Sequence, residues 1–185
     1  MTFEKIYLLP MGFQDDRLFD EISIALENKF LIPIDRLLPV PVPERTYNNE
    51  RDQYHSTMIL MGLREFIPKD AIRLLAVTNV DIYVPQMNYI FGEATVDGWT
   101  CIISLHRLLP EFYGEPPNHE LFTERAVKEA IHELGHTFGL RHCGDPNCIM
   151  YFSTTIQDTD RKSADFCGEC AMQLASRMRT LKAAA

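Results

Sequence analysis

Residues 130–143 read AIHELGHTFGLRHC, an H-E-x-x-H-x-x-G-x-x-H spacing that prescribes a helix, its end and a turn in one short stretch. His132 and His136 stand four apart and share a helical face, where two imidazoles can hold one metal ion. His142 lies ten residues beyond His132, and an unbroken helix would carry it about 15 Å along the axis, away from that ion. The helix must therefore stop. Gly139 can stop it, because glycine enters the left-handed conformation at a helix end without steric cost. Three neutral imidazoles leave a fourth zinc position for water, the pattern of a catalytic site rather than a structural one.

Glu133 stands about 100° round the helix from His132, so it need not ligate the metal. It is placed to take the proton of a water whose pKa zinc lowers from about 15.7 toward 7. The chemistry this implies is metal-assisted acyl hydrolysis. An amphipathic helix with incidental histidines would need three histidines, one glutamate and one glycine to fall at these offsets by chance.

Four of the five cysteines follow: Cys143 and Cys148 with four residues between them, Cys167 and Cys170 with two. That spacing predicts a closed four-cysteine zinc site. Two disulfides are the alternative, disfavoured in a reducing compartment. His142 and Cys143 are adjacent, and in an extended segment neighbouring side chains point to opposite sides. One can then face the catalytic ion and the other the structural one. Cys101, inside a predicted strand, reads as a buried, inert thiol. His55, His106 and His119 have no ligand spacing and are expected in surface or capping roles.

Upstream, the near-continuous apolar run Lys5–Pro10 predicts a strand covered on both faces. Asp15–Phe30 reads as an amphipathic helix, with Asp15 and Asp16 at its positive end. Residues 31–34 form a short strand, and the proline-rich 37–43 an extended segment at a sheet edge. Thr46–Arg51 is a polar loop and Asp52–Phe66 a helix, with Met58 and Met61, like Met87 further on, as core filler. Ile72–Thr78, Tyr89–Ala94 and Thr100–Leu105 are strands, the last two antiparallel across the Asp97-Gly98 turn. A loop over 107–119 leads into the motif helix at about 118–123. A last helix spans about Ala164–Leu181 and frays over Ala183–Ala185. The order predicts an α/β (α+β) fold with a twisted, mostly parallel mixed sheet and an antiparallel edge strand.

With 46% hydrophobic residues, the 185-residue chain can bury a core as one domain spanning 1–185. A net charge of -8 without a basic block gives nucleic acid or an anionic membrane no electrostatic purchase. Met1–Pro10 is too short and wrongly flanked for a signal peptide, and no stretch approaches about 20 apolar residues, so a cytoplasmic protein with reduced thiols is expected.

Taken together, the histidine motif, Cys143-x4-Cys148-x-Met150 and Cys167-x2-Cys170 resemble the archaemetzincin family of the metzincin zinc peptidases. The match covers roughly the last quarter of the chain, and Tyr89–Ala94 is similar to the family's segment before the active-site helix. The resemblance implies a compact metzincin fold with a horizontal cleft. It implies His132, His136 and His142 as catalytic zinc ligands, Glu133 as general base and acid, Met150 as the turn methionine and the four cysteines as ligands of a structural zinc. Tyr151, directly after Met150, is a candidate oxyanion donor. The edge strand at Tyr89–Ala94 would pair with extended substrate. The expected activity is zinc-dependent hydrolysis of a peptide or small protein, with two zinc ions per chain. A metal-stabilised binding protein with a latent site is the alternative, and a zinc deacylase would fit the same ligands.

Overall fold

The computed structural model describes residues 5–184, so the lead-in 1–4 and Ala185 lie outside the described residues. Its strands are β1 (Lys5–Met11), β2 (Ile34–Arg36), β3 (Tyr47–Asn48), β4 (Gln53–His55), β5 (Ala71–Thr78), β6 (Ile82–Tyr83), β7 (Gly92–Ala94) and β8 (Thr100–Ser104). Its helices are α1 (Asp16–Phe30), α2 (Ser56–Gly62), α3 (His119–Thr137), α4 (Ile156–Arg161) and α5 (Gly168–Ala184).

The main sheet runs β2-β1-β5-β8-β7. All its pairings are parallel except β7 against β8, as the apolar runs and the Asp97-Gly98 turn predict. Because strand side chains alternate, the sheet divides its apolar residues between two faces. Ile6, Leu8, Leu75, Val77, Cys101 and Ile103 turn to α1 and α3. Tyr7, Leu9, Leu74, Ala76 and Ile102 turn to the other face, against Ile59, Leu60 and Leu63. Both faces are covered, which is why β1 and β5 read as continuous apolar runs.

Several boundaries differ from expectation, each for a local reason. Leu31 is the left-handed cap of α1 (φ 54°), so the next strand starts only at Ile34. The helix expected from Asp52 is shortened by β4, which pairs with β6 in a second sheet of order β3-β4-β6. Met58 and Met61 are exposed rather than core filler, at 43% and 72%. The strand expected over Tyr89–Ala94 is regular only from Gly92, because Ile90 bridges instead to Ile82 of the second sheet. The α4 helix is an addition, and α5 begins at Gly168 rather than near Ala164. No helix among the described residues is long and apolar enough to cross a membrane.

Candidate metal centre

Asn118 starts α3 by accepting the Leu121 N–H on its side chain at 3.1 Å, and the helix then runs beneath the sheet with residues 125–137 mostly buried. Its end is a Schellman motif: Leu140 N–H reaches Gly135 O at 3.1 Å and Gly139 N–H reaches His136 O at 2.9 Å. Gly139 supplies the left-handed residue with φ 88°, the conformation glycine takes freely. The turn brings His142 back, its ring centroid 5.4 Å from that of His132 and 4.8 Å from that of His136.

The protonation pattern of these rings bears on whether a metal fits. The Nδ1 atoms of His132 and His136 lie 2.7 and 2.8 Å from the carbonyl oxygens of Ile149 and Leu140. A carbonyl only accepts, so each Nδ1 carries the proton and each Nε2 presents a lone pair. Those two Nε2 atoms face one another at 3.1 Å. Only a cation between them relieves that opposition, and burial disfavours a proton: it holds His132 well below the ordinary imidazole range and His136 at about 4. Two zinc–nitrogen bonds of about 2.0–2.1 Å at a tetrahedral angle would separate the nitrogens by roughly 3.3–3.4 Å, close to what is found.

Beside these rings Glu133 is buried, and burial, reinforced by Glu129 and then Glu93, raises its carboxyl well above the usual range. The backbone of Gly92 on the sheet edge lies directly against its carboxylate. The α3 helix is docked by polar contacts that its sequence pattern does not announce. Arg125 donates to both carboxylate oxygens of Asp160 on α4, at 2.7 and 2.8 Å. Lys128 donates to the Thr159 and Asp160 carbonyls, and Lys162 Nζ lies 3.0 Å from Glu129 Oε1, both side chains buried.

The sulfurs of Cys143, Cys148, Cys167 and Cys170 gather within 4.8 Å of one another, and none is in a disulfide. Cys143 and Cys167 are 3.8 Å apart, the separation that two zinc–sulfur bonds of about 2.3 Å give at a tetrahedral angle. Between the two clusters, Met150 is fully buried and packs so closely under Gly135 that a β-carbon there would meet its Sδ.

A cleft of about 930 Å³ opens over the three imidazoles, walled by Gly92 and Glu93 on one side and by Phe152 and Ser153 on the other. Phe152, rather than Tyr151, faces it and packs against His142, the rings tilted by 40° with centroids 4.6 Å apart. Tyr89 spans the two walls, its hydroxyl donating to Thr154 O at 3.0 Å. His55 stands at the N-cap position of α2, without a side-chain cap hydrogen bond, and also lines the cleft. His119 pairs with Glu21, His106 meets Phe112 edge to face, and Cys101 is buried against Leu74 O.

Nitrogen lone pairs converging beside a buried carboxylate at a sheet edge suit hydrolysis, and the class is that of the metzincin-type zinc metallopeptidases. Peptidase family M54 matches residues 13–176. The archaemetzincin of Methanocaldococcus jannaschii is 44% identical over 176 residues, 94% of each chain, and that of Pyrococcus furiosus 40% identical over 182 residues, 95% of this chain and 94% of its own. Among solved structures, the archaemetzincin of Methanopyrus kandleri superposes with a TM-score of 0.85 at 34% identity, covering 95% of this chain and 96% of its own. A zinc-dependent peptidase from Methanocorpusculum labreanum gives 0.84 at 32% identity, covering 91% and 99%. The chain belongs to Peptidase family M54, the archaemetzincins.

Proposed function

We propose that this metallopeptidase cleaves peptide bonds with one zinc held by His132, His136 and His142, and that a second, structural zinc is held by Cys143, Cys148, Cys167 and Cys170. The reading treats residues 1–185 as one domain, since both apolar clusters pack on the same sheet. The observation that carries it is the pair of facing Nε2 lone pairs at 3.1 Å beside Glu133. When bound, the catalytic zinc supplies Lewis acidity, lowering the pKa of water and polarising the substrate carbonyl. Glu133 takes the proton from the attacking water as the carbon–oxygen bond forms, then delivers it to the departing amine nitrogen as the carbon–nitrogen bond breaks. Its burial and raised pKa suit a group that must hold that proton between the two events. The Ile149 and Leu140 carbonyls fix the two buried imidazoles with Nε2 outward.

The substrate lies along β7. Thr95 N–H donates to Thr100 O, and Ser104 N–H to Phe91 O, so the odd-numbered residues of this strand direct their backbone groups to β8. Gly92 and Ala94 therefore turn theirs to the open edge, where an extended peptide can add as a further strand. Metal analysis joined to a peptide-library digest tests the proposal. It expects about two zinc per chain and cleavage that Glu133→Ala abolishes. Two zinc with no cleavage by wild type would favour a metal-stabilised binding protein instead.

A further inference from the structure

Glu93 occupies the middle of β7, one residue from the Gly92 that touches Glu133. Strand alternation turns its side chain to the opposite face from Gly92, toward α2. There Thr57 Oγ1 donates to Glu93 Oε1 at 2.7 Å and fixes the carboxylate. The other oxygen, Oε2, is buried with no hydrogen-bond partner among the described residues, and so is Nδ1 of His55. His55, Thr57 and Glu93 all line the cleft. A carboxylate oxygen withdrawn from water and left without a donor costs free energy until one arrives, and no role in the hydrolysis described above uses this one.

The strand geometry says where a donor would come from. Because Glu93 directs its backbone to β8, it sits at a non-hydrogen-bonded position with respect to any strand added at the open edge. In an antiparallel pair the side chains directly opposite at such a position share a face, with β-carbons about 4.5–5.5 Å apart. A substrate residue opposite Glu93 thus extends along the same face toward its carboxylate. The charge around the cleft favours a cation there. Of the glutamates that line it, Glu129 is paired with Lys162 and Glu133 sits beside the histidines, which among the described residues leaves Glu93 without a cationic partner. Arg141 is the sole Lys or Arg among its described lining residues, and the chain carries a net charge of -8.

We propose that Glu93, held by Thr57, is a specificity residue that receives a positively charged group of the substrate, within about two residues of the bond that is cut. The inference rests on the substrate strand lying along β7. The cation is an ammonium or guanidinium, supplied by a Lys or Arg side chain or by the peptide's free amino terminus.

The test uses zinc-loaded protein and peptides that differ only in lysine or norleucine at each position within two residues of the cleaved bond, every peptide made with a free and an acetylated amino terminus. Binding is read by fluorescence anisotropy in a Glu133→Gln background, and kcat/KM in wild type. Lysine should be preferred over norleucine about fivefold at one position. If the preference belongs to the terminus, free peptides should exceed acetylated ones by a similar factor. Glu93→Gln should bring either ratio to near one, and Glu93→Lys should turn it toward a glutamate-containing peptide, which a merely destabilised edge strand would not do. A ratio near one in wild type that cleaves both peptides overturns this inference and leaves the peptidase reading standing. A lysine preference retained by Glu93→Gln overturns the assignment to Glu93. Failure of every peptide to bind or be cleaved overturns both readings.

Discussion

Gly92 and Glu133 are in contact so close that a β-carbon on the glycine would lie 2.6 Å from the Oε1 and Cγ of the glutamate. The sheet edge and the motif helix thus meet backbone to carboxylate, and the glycine is required by that approach rather than by its φ. Gly92→Ala should push the carboxylate out of line and lower kcat/KM by about 100-fold, the scale of a misplacement of about 1 Å. The zinc content should stay unchanged, because the atoms nearest the new methyl group all belong to Glu133, which is not a proposed ligand. Metal analysis alongside turnover decides it, and a variant that hydrolyses peptides at the wild-type rate would refute the contact's importance.

What could be read from the sequence was whatever a local pattern encodes. The H-E-x-x-H spacing with Gly139 specifies helix, end and return within the eleven residues from His132 to His142, and the structure has that Schellman end. Asp97-Gly98 announced the hairpin, and Asp97 does take a positive φ of 54°. What could not be read was assembled from distant segments. Glu93 and His55 come to the cleft from different sheets, and neither has a neighbour whose spacing would betray it. The α4 helix is short and polar, and its place is set by Arg125 and Lys128 reaching across from α3. One signal for it was present, because Thr155 and Asp158 form a capping box, the pattern that opens helices.

Lys162 and Glu129 form a buried ion pair at 3.0 Å, with side-chain exposures of 0% and 4%. Removing one member leaves a charge without its counter-ion in a low dielectric. Lys162→Met should therefore destabilise the zinc-loaded protein by about 3–5 kcal/mol. Adding Glu129→Leu should recover much of that loss, less the hydrogen bond that Thr159 gives to Glu129. Denaturant unfolding of the two single variants and the double measures the coupling. A Lys162→Met protein within about 1 kcal/mol of wild type would show the pair to be incidental.

Glu21 joins α1 to α3, accepting from Thr123 Oγ1 at 2.8 Å and lying 2.8 Å from His119 Nε2. The Thr123 hydroxyl first, and then Arg17 and His119, lower its pKa below the ordinary 4.5. The folded state therefore holds this proton less tightly than the unfolded chain does. The resulting stability is full above about pH 4.5 and is lost as pH falls through the lower folded value. Glu21→Gln should lower Tm by about 2–4 °C at pH 7 and by less at an acid pH below the folded-state value, where wild type has taken up the proton too. Equal effects at the two pH values would rule out a charge-based contribution.

The cysteine cluster and the histidine cluster share a segment of chain. Cys143 follows His142 directly, its N–H donates to Met150 O at 2.9 Å, and Ile149, between Cys148 and Met150, offers the carbonyl that fixes His132. A clamp on the four sulfurs thus steadies two of the three imidazoles, one through the peptide bond and one through a carbonyl. The Cys167→Ser, Cys170→Ser double variant should lose one zinc per chain and, without any change to the histidines, bind the remaining zinc about 10–100-fold more weakly, the usual cost of losing a ligand's orienting partner. Competition against a zinc chelator, read by metal analysis, measures both quantities. If one zinc is lost while the affinity of the other is unaltered, the sulfur cluster serves local stability alone and the histidine site is held by α3 and its Schellman turn.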